Sequence, residues 1–419
     1  MGKLLLIIGF VWPEPKSSAA GSRMMQLIYA FKKRGYVVTF ASPCAKSDNA
    51  FDLGRIGVSQ EMILLNDASF DVFVKDLNPN IVLFDRFMME EQFGWRVAEQ
   101  CPEALRVLDT EDLHCLRKGR QQAFKEGKPF DLSYLFNDVA KREIASIYRS
   151  DLSLIISEAE MYMLKTHFKV DGSLLWYLPF LLDRVEAPTE KNLLKFEQRQ
   201  HFITIGNFMH QPNYNAVLYL KETIWPLIRQ QLPNAELHVY GAYASQKITQ
   251  LNAPEDGFFV KGYVDDVNLV MQQSRVCLAP IRFGAGLKGK LVDAMLNGTP
   301  CVTTTNGAEG LYGDLEPNGF IEDLPEDFVQ KVVSLYCDET LWVSKQQNGF
   351  NVIDKRFNKE HFEDIFFKQI EDAIINLQKN RHHNFTGQML QHHTLQSTKF
   401  MSKWIALKNK KEVESNKSK

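Results

Sequence analysis

The first part of the chain alternates short apolar runs with amphipathic stretches. The run Lys3–Phe10 predicts a buried strand, and Tyr36–Ala41 predicts a second one. Between them, Gly21–Arg34 carries apolar residues at the i, i+3, i+4 and i+7 spacing of one helix face. Further strands are predicted at Ile81–Phe84, Leu105–Leu108 and Leu152–Ile156. This alternation is typical of a parallel sheet flanked by helices.

A second unit of the same kind follows a polar interval. Residues 186–200 are charged, contain Pro188 and predict an interdomain linker. Beyond them, strands are predicted at His201–Ile205, Glu236–Tyr240, Phe258–Lys261, Val276–Ala279 and Cys301–Thr304, and helices at Asn213–Gln231 and Gly286–Asn297. The predicted fold class is therefore α/β, with two doubly wound, Rossmann-like domains facing a cleft. Ligands of such sheets bind beyond the carboxyl ends of the strands, so the cleft is the predicted site.

The pattern divides the chain into five segments. Residues 1–185 form the first predicted domain, 186–200 the linker, 201–358 the second domain, 359–380 a helix and 381–419 a polar, basic tail. The helix around Glu360–Leu377 has one apolar face and is predicted to cross back to the first domain.

The tail combines histidine pairs with a basic amphipathic stretch. The pairs His382-His383 and His392-His393 are predicted to be solvated. Within Lys399–Lys411, the apolar side chains, Trp404 among them, alternate with lysines. That pattern fits either contact with an anionic membrane surface or packing of Trp404 on the body of the protein.

Composition and charge narrow the class of protein. The 419 residues are 45% hydrophobic and 24% charged, which is enough to build substantial cores and excludes a disordered chain. The net charge is −2, whereas nucleic-acid binding normally shows as a basic domain, so no nucleic-acid partner is expected. The six cysteines are scattered and match neither a disulfide framework nor a zinc module. No apolar run approaches the roughly 18 residues of a membrane span, so we expect a cytoplasmic protein, at most peripheral at the inner membrane face.

The most informative segment is Arg282–Lys290, RFGAGLKGK, which follows a predicted strand and opens a helix. Its glycines allow a ligand to approach the backbone, and the free N–H groups of a helix start attract phosphate. Arg282, Lys288 and Lys290 add positive charge at the same place. One hypothesis is therefore a diphosphate cradle for a sugar nucleotide, with Asp293 reaching the ribose.

Other interpretations fit the same residues. Gly284, Gly286 and Gly289 satisfy GxGxxG, with Glu309 twenty residues further on, as in a dinucleotide fingerprint. That fingerprint usually opens its domain, however, whereas this loop follows several strands. The segment also approaches a Walker A loop, although Leu291 stands where Ser or Thr would hold magnesium. A glycine-rich turn with solvated lysines is the purely structural alternative.

The longer segment Pro280–Val302, PIRFGAGLKGKLVDAMLNGTPCV, resembles the donor-binding signature of retaining GT-B glycosyltransferases of the "glycosyl transferases group 1" class, including bacterial family-four members. Val107–Arg117 in the first half is similar to a segment of bacterial members. Supporting stretches occur in the expected order at Ile205–Asn213, His238–Gly241, Gly262–Asp266 and Ala308–Gly310. The resemblance covers residues 1–375.

This resemblance implies the transfer of a sugar from a nucleotide-diphosphate sugar to an acceptor hydroxyl with retention, without a cofactor, a metal or a protein nucleophile. The acceptor implied is a saccharide or a lipid-linked molecule, in polysaccharide or glycoconjugate synthesis. The implied nucleoside contacts are Gly241, Tyr263, Val264 and Asp293, and the implied diphosphate contacts are Arg282, Gly284, Ala285, Gly286, Lys288 and Lys290. The first domain is expected to supply acceptor contacts from Gly21, Ser22, Arg23 and Arg117, and catalytic residues Asp109, Glu111 and His114. Asn207, His210 and Glu309 are expected elsewhere in the cleft.

Departures from the family pattern leave two rival functions open. The family often has Glu where this chain has Asp293 and Ala285, and Arg and Lys where it has Asn207 and His210. A catalytically silent GT-B binding or scaffold protein is therefore one alternative. An NAD-type oxidoreductase, suggested by GxGxxG and Glu309, is the other.

Overall fold

The chain folds into two parallel β-sheets. The computed structural model describes residues 3–185 and 193–417, so residues 186–192 of the predicted linker lie outside the described residues. The first sheet contains β1 (Leu4–Ile8), β2 (Val37–Ser42), β3 (Ser59–Met62), β4 (Ile81–Asp85), β5 (Leu105–Asp109), β6 (Leu152–Ile155) and β7 (Leu175–Tyr177), in the order β3-β2-β1-β4-β5-β6-β7. The second contains β8 (Gln200–Ile205), β9 (Leu237–Tyr240), β10 (Phe258–Gly262), β11 (Ser274–Ala279), β12 (Cys301–Thr303) and β13 (Gly319–Ile321), in the order β10-β9-β8-β11-β12-β13. The predicted fold class is confirmed.

Helices connect the strands of each sheet. In the first domain they are α1 (Ala19–Lys33), α2 (Ser69–Leu77), α3 (Phe87–Gln100), α4 (His114–Lys125), α5 (Leu132–Leu135), α6 (Asp138–Arg149) and α7 (Glu158–Thr166). In the second they are α8 (Gln211–Tyr219), α9 (Trp225–Gln231), α10 (Gln246–Thr249), α11 (Val267–Gln273), α12 (Gly289–Leu296), α13 (Thr305–Ala308), α14 (Pro325–Cys337) and α15 (Glu339–Val352). The chain continues through α16 (Lys359–Ile375), α17 (Leu377–His383) and α18 (Phe385–Lys417).

Burial on both faces of the first sheet explains its continuous apolar strands. Leu5 and Ile7 of β1 pack in one hydrophobic core, and Leu6 and Ile8 pack in the other. A parallel strand covered on both sides has no polar face, so its sequence is an uninterrupted apolar run.

The first helix is positioned for close contact with the loop before it. The Ser18 hydroxyl accepts a hydrogen bond from the Gly21 N–H at 3.0 Å and caps α1. A Cβ at Gly21 would lie 2.4 Å from the carbonyl oxygen of Glu14, so only glycine fits there. This contact folds the β1–α1 loop back over the start of the helix.

The strands that the sequence pattern missed all lie at sheet edges. β3, β7 and β13 were not predicted, and each occupies an end of its sheet. β3 has the polar sequence SQEM, and the other two contain three residues each. An edge strand pairs on one side only and needs little apolar sequence, so its signal is weak.

Two predicted helices differ from the observed ones. The helix predicted at Asn213–Gln231 is interrupted by a π-helical turn at Leu220–Ile224, which directly precedes α9. Pro226 is the second residue of α9 and has no N–H to donate to the turn before it. The helix predicted from Gly286 begins at Gly289, because residues 284–288 form a loop in which Gly286 has a left-handed backbone.

The last helices lie on the first domain. Phe366 and Phe367 of α16 pack edge-on against Phe31 of α1, with ring centroids 5.8 and 5.0 Å apart. The tail, for which no helix was predicted, is largely helical, and His382 and His383 lie exposed on α17. In α18, Gln391 donates to the carbonyl oxygen of Arg149 at 3.0 Å, and Ser402 donates to Asn66 at 3.0 Å. Among the described residues, no helix is long and apolar enough to cross a membrane.

Candidate functional site

A cleft of about 1030 Å³ lies between the two domains, beyond the carboxyl ends of their strands. Its walls come from the β1–α1 loop and the segment after β5 on one side, and from the segments after β8, β9 and β11 on the other. The cleft is lined by most of the residues singled out from the sequence: Gly21, Ser22, Glu111, His114, Arg117, Asn207, His210, Gly241, Tyr263, Val264, Gly284, Ala285, Gly286, Lys288, Lys290 and Asp293. Their predicted roles stay predictions.

The glycine loop after β11 presses directly against the first domain. Gly286 has φ +64°, and a Cβ there would lie 2.8 Å from the Cβ of Asp112. A larger residue would therefore force the domains apart. Lys288 follows the loop, is buried, and donates from Nζ to the carbonyl oxygen of Gly286 at 2.8 Å.

Burial shifts the charges at the start of α12. It lowers the pKa of Lys288 and of Lys290 to about 8, because both ammonium groups lose hydration. Burial also raises the pKa of the Asp293 carboxyl to about 7, because the carboxylate loses hydration. A pKa of about 8 leaves both lysines mainly positive at neutral pH, and an anionic ligand beside them would favour that form further, so this part of the cleft suits a diphosphate.

The opposite wall carries a polar cluster after β5. Arg117 lies 3.0 Å from Nε2 of His210, so the cluster bridges the two domains. Despite burial, the positive charge of Arg117 lowers the pKa of Asp112, which lies 3.3 Å from Nε2 of His114. Burial lowers the pKa of His114 to about 3. His114 is therefore neutral at physiological pH and can exchange hydrogen bonds with hydroxyl groups without carrying charge.

The backbone around the cleft is strained at three residues other than glycine, two in the first domain and one in the second. Glu111, Arg86 and Tyr243 all line the cleft, with φ of +62°, +70° and +58°. Such conformations are rare for these residue types and concentrate at functional sites. The Glu111 carboxyl is buried beside Asp109 and Asp85, and burial raises its pKa well above the ordinary range.

Two first-domain residues predicted to face the cleft lie behind its wall, which corrects their placement. Arg23 and Asp109 are fully buried and form an ion pair at 2.9 Å. The same guanidinium donates to the carbonyl oxygens of Leu178 and Pro179 at 2.8 and 3.2 Å. Because every charged atom of the pair is engaged inside the domain, the pair holds α1, β5 and the segment after β7 together.

Two second-domain residues also lie outside the lining. Arg282 stacks over the rings of Tyr219 and Phe124, 4.2 and 4.6 Å from their centroids. Glu309 accepts two hydrogen bonds from Arg120 at 2.7 and 2.6 Å. Glu309 is the acidic residue that would bind the ribose in the dinucleotide interpretation. It is already paired with the guanidinium of Arg120. The glycine loop also follows the fourth strand of this domain rather than its first.

Sequence reasoning missed several residues at this interface, among them Glu160, Glu14 and Tyr243. Glu160 of α7 accepts hydrogen bonds from the N–H groups of Leu113 and Gly286 at 3.0 and 2.8 Å, which joins the domains. Across the mouth of the cleft, Tyr243 donates to the carboxylate of Glu14, with distances of 2.8 and 2.9 Å to its two oxygens. Neither pair has a motif around it, because each depends on residues far apart in the chain.

Comparison with known proteins identifies the second domain. Residues 199–338 match the family model described as "Glycosyl transferases group 1". No curated protein sequence matches the chain significantly. The sequence resemblance to this class is confirmed for that part of the chain.

Solved structures with low sequence identity share the two-domain fold. HepE from Anabaena, in complex with UDP-glucose, superimposes with a TM-score of 0.65 at 12% identity, over 88% of this chain and 99% of its own. WaaG, described as a glycosyltransferase involved in lipopolysaccharide biosynthesis, gives 0.59 at 13% identity, over 86% and 99%. A TarM variant from S. aureus, crystallised with UDP, Fondaparinux and alpha-GlcNAc-glycerol, gives 0.56 at 14% identity. That match covers 71% of this chain, which spans only 57% of the TarM chain. The architecture is GT-B.

Proposed function

We propose that the protein transfers a sugar from a nucleoside-diphosphate sugar to an acceptor hydroxyl, with retention at the anomeric carbon. The observation that carries this proposal is the position of Lys288 and Lys290 at the start of α12, inside an interdomain cleft. Two cations held there by the fold neutralise the negative charge that develops on the departing diphosphate. UDP or a UDP-sugar occupies the solved structures of HepE and TarM, so UDP is the first donor base to test.

Retention fits a front-face reaction in this cleft. In such a reaction the acceptor hydroxyl attacks from the side that the diphosphate leaves, and no covalent sugar–enzyme bond forms. His114 and Glu111 line the opposite wall, where the transferred sugar would contact the first domain. We propose that they position the sugar and the acceptor, and that the transfer needs neither a cofactor nor a catalytic metal.

A panel of nucleoside diphosphates tests the donor site directly. We expect one of UDP, GDP, ADP or dTDP to raise the melting temperature; a ligand at 100 times its Kd adds about 2.7 kcal/mol of stability. The Lys288→Ala variant should lose most of this shift, whereas Lys355→Ala, at an exposed position outside the cleft, should keep it. Stabilisation by NADH alone would support the oxidoreductase alternative.

Turnover separates the enzyme from a silent scaffold. We expect the nucleoside diphosphate to be released from its sugar conjugate by the wild-type protein, and NMR of the product to show the anomeric configuration of the donor. Nucleotide binding without release above the Lys288→Ala background would support the scaffold alternative. An inverted product would contradict retention while leaving the transferase intact.

The outer face of α18 is suited to an anionic membrane surface. Phe400, Met401, Trp404 and Leu407 each expose about 60% of their surface. Lys403 lies among them and is also exposed, as are Lys408 and Lys410. We propose that this face binds an anionic bilayer by combining apolar insertion with lysine–phosphate attraction, and that the acceptor is a saccharide or a lipid-linked molecule.

Vesicle co-sedimentation tests the membrane proposal. Binding to phosphatidylglycerol vesicles should exceed binding to phosphatidylcholine vesicles and should fall as salt rises. Trp404→Ala should weaken it, whereas Phe385→Ala, on an exposed residue at the other end of α18, should have little effect. Concentration-dependent dimerisation that Trp404→Ala abolishes, without vesicle binding, would assign this face to a second copy of the chain.

A further inference from the structure

Two histidines and a glutamate meet at the amino edge of the second sheet, at the opposite end of the strands from the cleft. His201 lies in β8, His238 lies in β9, and Glu236 directly precedes β9. Nε2 of His238 is 2.9 Å from Oε2 of Glu236, and Nδ1 of His201 is 3.8 Å from the same oxygen. The ligating atoms of the three residues all lie within 4.8 Å of one another.

These donors suit a transition-metal ion. Zinc binds imidazole nitrogen and carboxylate oxygen at about 2.0–2.2 Å, so two bound donors lie roughly 3–4 Å apart. We propose that His201, Glu236 and His238 form a metal site for Zn²⁺ or a similar ion, with water as the fourth ligand. The ion would join the first two strands of the second domain, far from the reacting groups, and would act as a structural centre.

The packing of the two strands places both imidazoles beside the carboxylate of Glu236. The two rings stack with their centroids 4.1 Å apart and their planes at 25°, so both nitrogens reach one ion only after a rotation of at least one ring. Glu236 remains 44% exposed along its side chain, which leaves the cluster open to an ion from solvent.

Two further features bear on the strength of the site. His201 has φ +47°, a left-handed conformation that costs energy for a histidine and brings its ring beside His238. Lys261 is the opposing feature, because its positive charge acts on both imidazoles and would repel a cation. The carboxylate of Glu236 offsets that repulsion.

Zinc titration of the full-length protein tests the proposal. A chromophoric chelator should report one competing site, and His201→Asn should lower its zinc affinity by roughly tenfold or more. Asparagine suits this position because it tolerates the left-handed backbone that His201 adopts. His238→Gln and Glu236→Gln should have similar effects, whereas Lys261→Gln should tighten zinc binding. The double variant His382→Asn/His383→Asn is the matched control for the exposed histidine pair in α17 and should leave this site intact.

Two further measurements distinguish a lost metal site from a folding defect and from failure of the proposed transferase activity. Nucleotide binding in the cleft should be the same in His201→Asn and the wild type, since the site lies at the other end of the strands. Zinc should raise the melting temperature of the wild type and not that of His201→Asn. Equal zinc uptake by the two proteins, or no saturable uptake by the wild type, would overturn the proposal.

Discussion

Arg120 of the first domain and Glu309 of the second form a bidentate ion pair, with N–O distances of 2.7 and 2.6 Å. The same guanidinium donates to the carbonyl oxygen of Gly284 at 2.9 Å. Although burial opposes it, Arg120 holds the pKa of Glu309 below its ordinary value. One side chain of α4 thus fixes both the glycine loop and the segment after β12, and couples the domains at the wall of the cleft.

We expect Arg120→Ala to lower the free energy of unfolding by about 3 kcal/mol, because it leaves the carboxylate of Glu309 largely buried without a partner. Urea denaturation measures this loss. The control is Arg142→Ala, which removes a more exposed pair with Glu91 and should cost about 1 kcal/mol or less. Similar losses in the two variants would show that the interdomain pair has no special importance.

Glu160 should make stability depend on pH. Burial raises the pKa of its carboxyl to about 8, so the folded state holds a proton that the unfolded state releases near pH 4.5. The contribution of Glu160 to the free energy of unfolding is therefore fully present below pH 4.5, the pKa of the unfolded state. It decreases as pH rises towards about 8, the pKa of the folded state. The slope is at most about 1.4 kcal/mol per pH unit.

Glu160→Gln isolates that contribution. The amide keeps an oxygen to accept from the N–H groups of Leu113 and Gly286, and it cannot ionise. Between about pH 5 and 8, the difference in unfolding free energy between the variant and the wild type should grow in favour of the variant. A constant difference across this range would assign the pH dependence to other groups.

The sequence predicted the sheets and the glycine loop for identifiable physical reasons. β1 lies inside its sheet and is buried on both faces, so its sequence is a continuous apolar run that predicts a strand clearly. Gly286 has a left-handed backbone and no room for a Cβ. Only glycine fits such a position, so the constraint is visible in the sequence. The resemblance to the group 1 glycosyl transferases was predicted from the segment Pro280–Val302 and is confirmed for residues 199–338.

What the sequence could not predict depends on contacts between distant residues. Glu309 is separated from Arg120 by 189 positions, and only the closed arrangement of the domains brings them together. Asp109 follows the predicted strand Leu105–Leu108, as a cleft residue would. In the structure, however, its carboxylate is paired with Arg23 of α1 inside the domain. Residue type and spacing were compatible with either outcome, and packing decided between them.

Nucleotide binding should change the protonation of the cleft in opposite directions at two pH values. Near pH 8 the pKa of Lys288 and of Lys290 leaves part of each lysine neutral, so a bound diphosphate should draw protons onto them. Near pH 6 the lysines are already charged, whereas Asp293, with a pKa of about 7, is largely protonated. A ribose hydroxyl that donates to Asp293 should then release a proton.

Calorimetry in buffers of different ionisation enthalpy measures this exchange. We expect net proton uptake at about pH 8 and no uptake, or release, at about pH 6. Lys288→Ala should reduce the uptake, and Asp293→Asn should abolish the release. Lys288→Ala should also weaken diphosphate binding more than Asp293→Asn does. The reverse order would show that the phosphate end of the site has been placed wrongly.

Asp109 and Glu111 lie two residues apart and should differ in what they contribute. Asp109 balances the buried guanidinium of Arg23, so Asp109→Asn leaves that charge unpaired and should cost about 3–5 kcal/mol of stability. Glu111 lines the cleft, and burial beside Asp109 and Asp85 raises its pKa. Its negative form is unfavourable in the folded state, so the neutral variant Glu111→Gln should be as stable as the wild type, or more so.

The two variants should rank in the opposite order for activity, with Glu111→Gln more impaired than Asp109→Asn. Measured well below its lowered melting temperature, Asp109→Asn should keep most of the nucleotide affinity, because its side chain does not line the cleft. Glu111→Gln should lower kcat more than it changes nucleotide affinity, since it alters the wall that faces the transferred sugar. Stability curves and steady-state kinetics on the two isosteric variants separate these effects. If Asp109→Asn is stable but inactive, Asp109 contacts the substrate and the buried pair must open during the reaction.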